Sequence, residues 1–86
     1  MPQEQMTQEQ ILGTIRAARD SVWVISDSLE RLASNGGTMT NELKGNIERN
    51  VGHLKLVVAN PEISNSGEDI TDLHAAITNG EAALNT

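Results

Sequence analysis

Ile11, Ile15, Ala18, Val22, Ile25, Leu29 and Leu32 recur at spacings of 4, 3, 4, 3, 4 and 3 residues. A 3.5-residue apolar repeat held over three heptads describes a long helix with one continuous stripe, and such a stripe has to lie along at least one other helix. The chain therefore reads as all-α. With 86 residues it has room for one domain and one core.

Signals at the ends of the stripe set its length. Thr7-Gln8-Glu9-Gln10 has the spacing of a capping box, in which a threonine hydroxyl and a glutamine side chain each satisfy a backbone N–H at the helix start. Ser34-Asn35-Gly36-Gly37 closes the helix, because glycine takes up the left-handed backbone that reverses a chain. These limits predict a first helix over about 8–34. Thr40 is the natural cap of a second helix, and Asn60-Pro61 ends it near residue 59, since the residue before proline is pushed out of the helical region.

Within 41–59, Leu43, Ile47, Val51, Leu54 and Val58 share one face, widened by Asn50 and Val57. The link between the two helices is short, so they fold back as a long antiparallel hairpin. Residues 60–66 read as a loop, with Ile63 tucked against the hairpin's end. A shorter third helix is expected over about 67–84, with Ser66 as its cap and Glu68 and Asp69 in its first turn, where they suit the helix dipole, and Asp72 close behind. Its stripe is Ile70, Leu73, Ile77 and Leu84, with Gly80 in the missing place. So short a helix leaves part of the hairpin's apolar surface uncovered, and completion of the bundle by oligomerisation is expected. Residues 1–6 read as a flexible tail, and 7–86 as the single helical domain.

Composition narrows the function classes. The large apolar side chains are seven Ile, eight Leu, five Val, three Met and one Trp, without Phe or Tyr. A core this thin is marginal as a monomer, and burial against a second copy is the natural remedy, with a two-fold dimer the first expectation. Cysteine is absent, which removes disulfide, thiol and Cys–zinc chemistry. The net charge of −6 is unevenly spread: from residue 61 onward Glu62, Glu68, Asp69, Asp72 and Glu81 face no Lys or Arg. That balance argues against nucleic acid and anionic membranes as partners and admits a basic protein. With no basic, apolar leader and no long apolar run, the expectation is a cytoplasmic protein.

Few residues carry candidate chemistry. His53 and His74 lie on different helices without metal-ligand spacing. No phosphate loop, nucleophile elbow or paired carboxylates are present, so neither enzymatic activity nor a cofactor is expected. Trp23, the sole aromatic, lies off the main stripe beside Leu12, with Arg16 and Arg19 in the preceding turns. Tryptophan and arginine dominate binding hot spots, so these four form a candidate interface. The same group would also suit intramolecular packing, with the third helix docked over Leu12 and Trp23 and Arg19 stacked on the indole. A second candidate surface is Gly45, Gly52, Leu56 and Ala59, opposite the second helix's stripe, where two helical glycines suggest a close backbone neighbour. Glu68, Asp69 and Asp72 form a candidate acidic surface for a basic partner. The sequence thus reads as a structural or adaptor protein that self-associates, or alternatively as a small acidic regulatory module engaging its target through the third helix.

Overall fold

A computed structural model describes residues 6–85. The first helix, α1 (Gln8–Ser34), begins with the capping box in place: the Gln10 amide donates to Thr7 Oγ1 at 3.1 Å, and the Thr7 amide donates to Gln10 Oε1 at 2.9 Å. It ends where Gly36 and Gly37 take φ of +80° and +84°. The Gly37 amide then reaches back to the Leu32 carbonyl at 2.8 Å. Asn35 brackets the turn through two hydrogen bonds to Thr38.

The second helix, α2 (Asn41–Ala59), is capped by Thr40 and packs back along α1 as the antiparallel arm of the hairpin. Two further helices complete the chain: a single turn, α3 (Pro61–Ser64), and α4 (Thr71–Leu84). The protein is all-α, drawn out to 51 × 22 × 16 Å.

The segment after α2 departs from the sequence reading in two ways. Residues 60–66 hold a helical turn as well as a loop. The Asn60 side chain accepts from the Glu62 amide at 3.0 Å, Pro61 occupies the first turn where its missing N–H is harmless, and the Asn65 amide closes on the Pro61 carbonyl at 2.8 Å. This turn presses Ile63 into the core with no exposed surface. The last helix also starts at Thr71, four residues later than expected. Ser66 does accept an amide hydrogen bond, from Glu68 at 3.2 Å, but Gly67 at φ +81° turns the chain there instead of admitting it to a helix. Ile70, with no side-chain cap bond, is the residue that leads into α4.

Contacts fix the direction of α4. Asp72 meets Arg19, and eight residues later Gly80 faces Ile25, so α4 runs parallel to α1 and antiparallel to α2. Together α3, the linker and α4 form a third layer along the whole hairpin. Ile63 covers one end while Leu73, Ala76 and Ile77 cover the other. The hairpin's inner face is thus largely covered despite the shortness of α4, with Val22 and Leu29 left half-buried, and the exposed large apolar side chains Leu12, Trp23, Val24 and Leu56 lie on the outer faces.

Burial along α1 is displaced from the apolar stripe in its second half. Ile11, Ile15, Ala18 and Ile25 are buried as expected, but so are Ser21 and Ser28, whereas Val22 and Leu29 are half-buried. The small serines face the core, while on the α4 side the small side chains of Ala75, Ala76 and Asn79 leave a groove beside Val22 and Leu29. On α2, Val57 lies deeper than Val58. Met6, at the end of the expected tail, donates its amide to both Glu62 carboxylate oxygens at 3.1 Å and packs against the core. The remainder of that tail, residues 1–5, lies outside the described residues.

Candidate functional site: the outer face of α1

Along a helix, positions separated by 7 or 11 residues return to nearly the same side. Leu12, Arg16, Arg19 and Trp23 therefore form one stripe, continued by Ser26 and Glu30, on the side of α1 away from its buried residues. Trp23 is 74% exposed and Leu12 36%. The docking of the third helix over these residues, weighed from the sequence, does not occur: α4 sits beside the stripe and leaves the indole in solvent.

Arg19 is engaged elsewhere than on the indole. Its Nε donates to Asp72 Oδ2 at 2.9 Å and its Nη2 to the Asp69 carbonyl at 3.1 Å. That fork ties α1 to the start of α4, while Lys55–Glu81 at 2.8 Å ties α2 to its other end. Both bridges are exposed, so each contributes at most about 1 kcal/mol. They match the docking set by the buried Leu73, Ala76 and Ile77, which lays α4 along the groove and leaves the Trp23 stripe clear.

A depression of about 220 Å³ opens next to the indole, lined by Arg19, Val22, Trp23, Ser26 and Asp72. A neighbouring one of about 240 Å³ runs between Val22 and Leu29 on α1 and Ala75, Ala76 and Asn79 on α4. Both are predominantly apolar. A third, of about 340 Å³, lies at the far end against Met6, Ile11 and Pro61.

The α2 residues occupy a different surface. Gly45, Gly52, Leu56 and Ala59 are on the side of α2 turned from its buried stripe, and Leu56 is 76% exposed. Among the described residues no other backbone comes close to either glycine. A Cβ at Gly52 would meet nothing within 4 Å, and one at Gly45 only the flexible tip of Arg49. The glycine that does mark a close approach is Gly80, where a Cβ would stand 2.5 Å from Val51 Cγ2 and 3.3 Å from Ile47 Cγ2. The gap it leaves in the α4 stripe was the signal for this contact.

The acidic group near the α4 start is bound up with the chain's own donors. Asp72 pairs with Arg19, and Glu68 accepts from Gln8 Nε2 at 2.9 Å. The Asp69 carboxylate accepts from the Thr71 amide at 3.0 Å. Hydrogen bonds from the Thr71 backbone and side chain, helped by the Arg19 charge, hold Asp69 below the ordinary aspartate value of 3.8 despite a small opposing desolvation. A carboxylate with a depressed folded-state pKa contributes stability above its unfolded value, and that contribution is lost as pH falls through the folded value. Asp69→Ala should therefore lower the melting temperature at neutral pH and shrink the difference from wild type below about pH 3.8. Thermal melts across that range check the sign, and a difference that grows on acidification would refute it.

His53 and His74 are exposed and far apart in sequence on α2 and α4. Among the described residues no group of three His, Cys, Asp or Glu side chains is placed to hold a metal ion, and no helix is long and apolar enough to cross a membrane. The fold and this surface define an all-α bundle with an unpartnered, tryptophan-bearing helix face. Compared with protein-family models, curated proteins and solved structures, the chain matches none.

Proposed function

We propose that this chain is a non-enzymatic cytoplasmic structural or adaptor protein that works by binding, and that it self-associates through the outer face of α1. The observation that carries the reading is Trp23: the one aromatic side chain stands 74% exposed on the outer face of the longest helix, flanked by Leu12 and a shallow apolar depression. An indole in water forgoes burial of its large apolar area, the side-chain type that most often anchors interfaces.

The chain's single tryptophan also reports on itself. Light scattering coupled to size-exclusion chromatography should find a dimer at tens of micromolar, and dilution should red-shift Trp23 emission as the indole returns to solvent. Trp23→Ala should give a monomer that melts like wild type diluted below its dimerisation range, because the side chain adds little to the chain's own core, whereas wild type at tens of micromolar melts higher. A wild-type monomer at all concentrations, with emission independent of dilution, would defeat the reading.

The second reading is an acidic regulatory module that presents Glu68, Asp69 and Asp72 to a basic protein. It ranks behind self-association because all three carboxylates already have partners within the chain. A basic target would have to displace Gln8 and Arg19 to reach them.

A further inference from the structure

The stripe that carries Trp23 has a charge pattern that is its own complement. Arg16 lies seven residues before Trp23 and Glu30 seven residues after it, all three exposed on the same side of α1. Among the described residues, Arg16 and Glu30 make no ion pair. Arg19 and Asp27, four residues before and after, lie on opposite flanks of Trp23 and have partners in their own copy, Asp72 and Arg31.

We propose that two copies meet through α1 packed antiparallel against itself, on a two-fold axis at Trp23, with Arg16 of each copy paired to Glu30 of the other. The proposal rests on the self-association reading and adds its partner, register and direction. In a two-fold contact, a residue k places before the axis meets the residue k places after it. Centring on Trp23 therefore matches Arg16 with Glu30 twice, each within about 20° of the Trp23 direction. Asp20 and Asp27, about 60° and 40° round on the same flank of Trp23, come near each other across the seam, where Arg31 of each copy already neutralises Asp27, and Leu12 falls opposite Ser34.

A parallel contact does the reverse. It sets Arg16 against Arg16 and Glu30 against Glu30, which is unfavourable at both positions. The charge pattern thus chooses the direction as well as the partner, as electrostatic complementarity commonly does at interfaces. The apolar part agrees: each indole arrives at the axis beside the depression formed by Val22, Ser26 and Arg19 of the second copy, about 220 Å³ in volume. Ser26, small and on the stripe, keeps the helices from being held apart there.

Arg16→Glu and Glu30→Arg each replace two attractive pairs with two repulsive ones. Each should weaken dimerisation roughly tenfold or more, whereas the double variant R16E/E30R, or an equimolar mixture of the two single variants, should dimerise like wild type. Both side chains are exposed, and circular dichroism melts equal to wild type at a dilution where both are monomers would place the effect at the interface. Direction is read separately, since the chain has no cysteine and a single Ser26→Cys or Ser34→Cys carries a spin label without competition. The antiparallel register puts the two labels about 9 Å apart along the axis at position 26 and about 33 Å apart at 34. A parallel contact brings both pairs close.

A wild-type monomer at every concentration overturns the proposal together with the reading beneath it. A dimer that ignores R16E and E30R, or whose labels are close at both positions, overturns the register and direction while leaving self-association in place. A monomer that instead engages a different protein through Trp23 overturns the second copy as occupant.

Discussion

Ile63→Ala should cost about 3 kcal/mol of folding stability, a large share of the 5–15 kcal/mol typical of a small domain. Ile63 has no exposed surface although it belongs to a helix of only four residues. Its neighbours explain why the turn exists. Asn60 and Pro61 begin it, and Ser66 Oγ donates to the Ile63 carbonyl at 2.7 Å, so the backbone is fixed while the side chain closes the end of the hairpin. Removing three carbons leaves a void that so constrained a turn fills only in part. In a chain of this size the melting temperature should fall by about 12–20 °C. A fall of only a degree or two would mean that α3 is a solvated loop without a part in the core. Met6 should register the same loss, because its amide is bound to Glu62, next to Ile63.

Gly80→Ala and Gly52→Ala should have opposite signs. Alanine is the better helix former by about 1 kcal/mol, so at Gly52, where the new Cβ meets nothing within 4 Å, stability should rise by up to that amount. At Gly80 the same gain is opposed by a Cβ placed 2.5 Å from Val51 Cγ2. Valine in a helix is confined to essentially one rotamer, and Ile47 crowds the site from the next turn, so α4 itself has to lift. Overpacking of this kind costs about 1–3 kcal/mol. The net effect at Gly80 should be destabilising, with strained Arg19–Asp72 and Lys55–Glu81 bridges. Chemical denaturation of the two variants measures both signs, and stabilisation at Gly80 would mean that α4 is loosely docked. If Gly52→Ala instead lost stability together with self-association, a partner backbone would be using the outer face of α2.

Which parts of this were readable from the residues follows from the range of each signal. The limits of α1 and α2 come from caps, and caps are local: Thr7 with Gln10, the Gly36-Gly37 reversal, Thr40, and the restriction before Pro61. The α3 turn is too short for any periodicity, and its polar sequence Asn60-Pro61-Glu62-Ile63-Ser64 resembles a loop. At the start of α4 the residues point to Ser66 as the cap and place Asp69, which accepts from the Thr71 amide, only among the acids of the first turn. The structure uses each in a separate turn, split by Gly67. Burial of Ser21 and Ser28 was invisible to a hydrophobic pattern, because the space there suits a small side chain whatever its polarity.

The candidate face divides along the same line. Trp23 was conspicuous as a lone aromatic off the stripe, but whether it was covered depended on where α4 lay, and that depends on the burial of Leu73, Ala76 and Ile77, matched by Arg19–Asp72, a pair 53 residues apart. Only the fold reveals that Arg19 is occupied there. Arg16 and Glu30 were always an exact heptad to either side of Trp23, yet their positions gain meaning only once the helix face between them is seen to be bare.

The parallel course of α1 and α4 has a mechanical consequence. The described chain begins at one pole of the rod and ends near the other, so tension applied through its ends slides α4 along α1 instead of peeling the two apart. Arg19–Asp72 and the row of Ile25 against Gly80 would then be loaded together, in shear, and would yield as a unit with the Val51–Gly80 contact and the Lys55–Glu81 bridge by which α2 also holds α4.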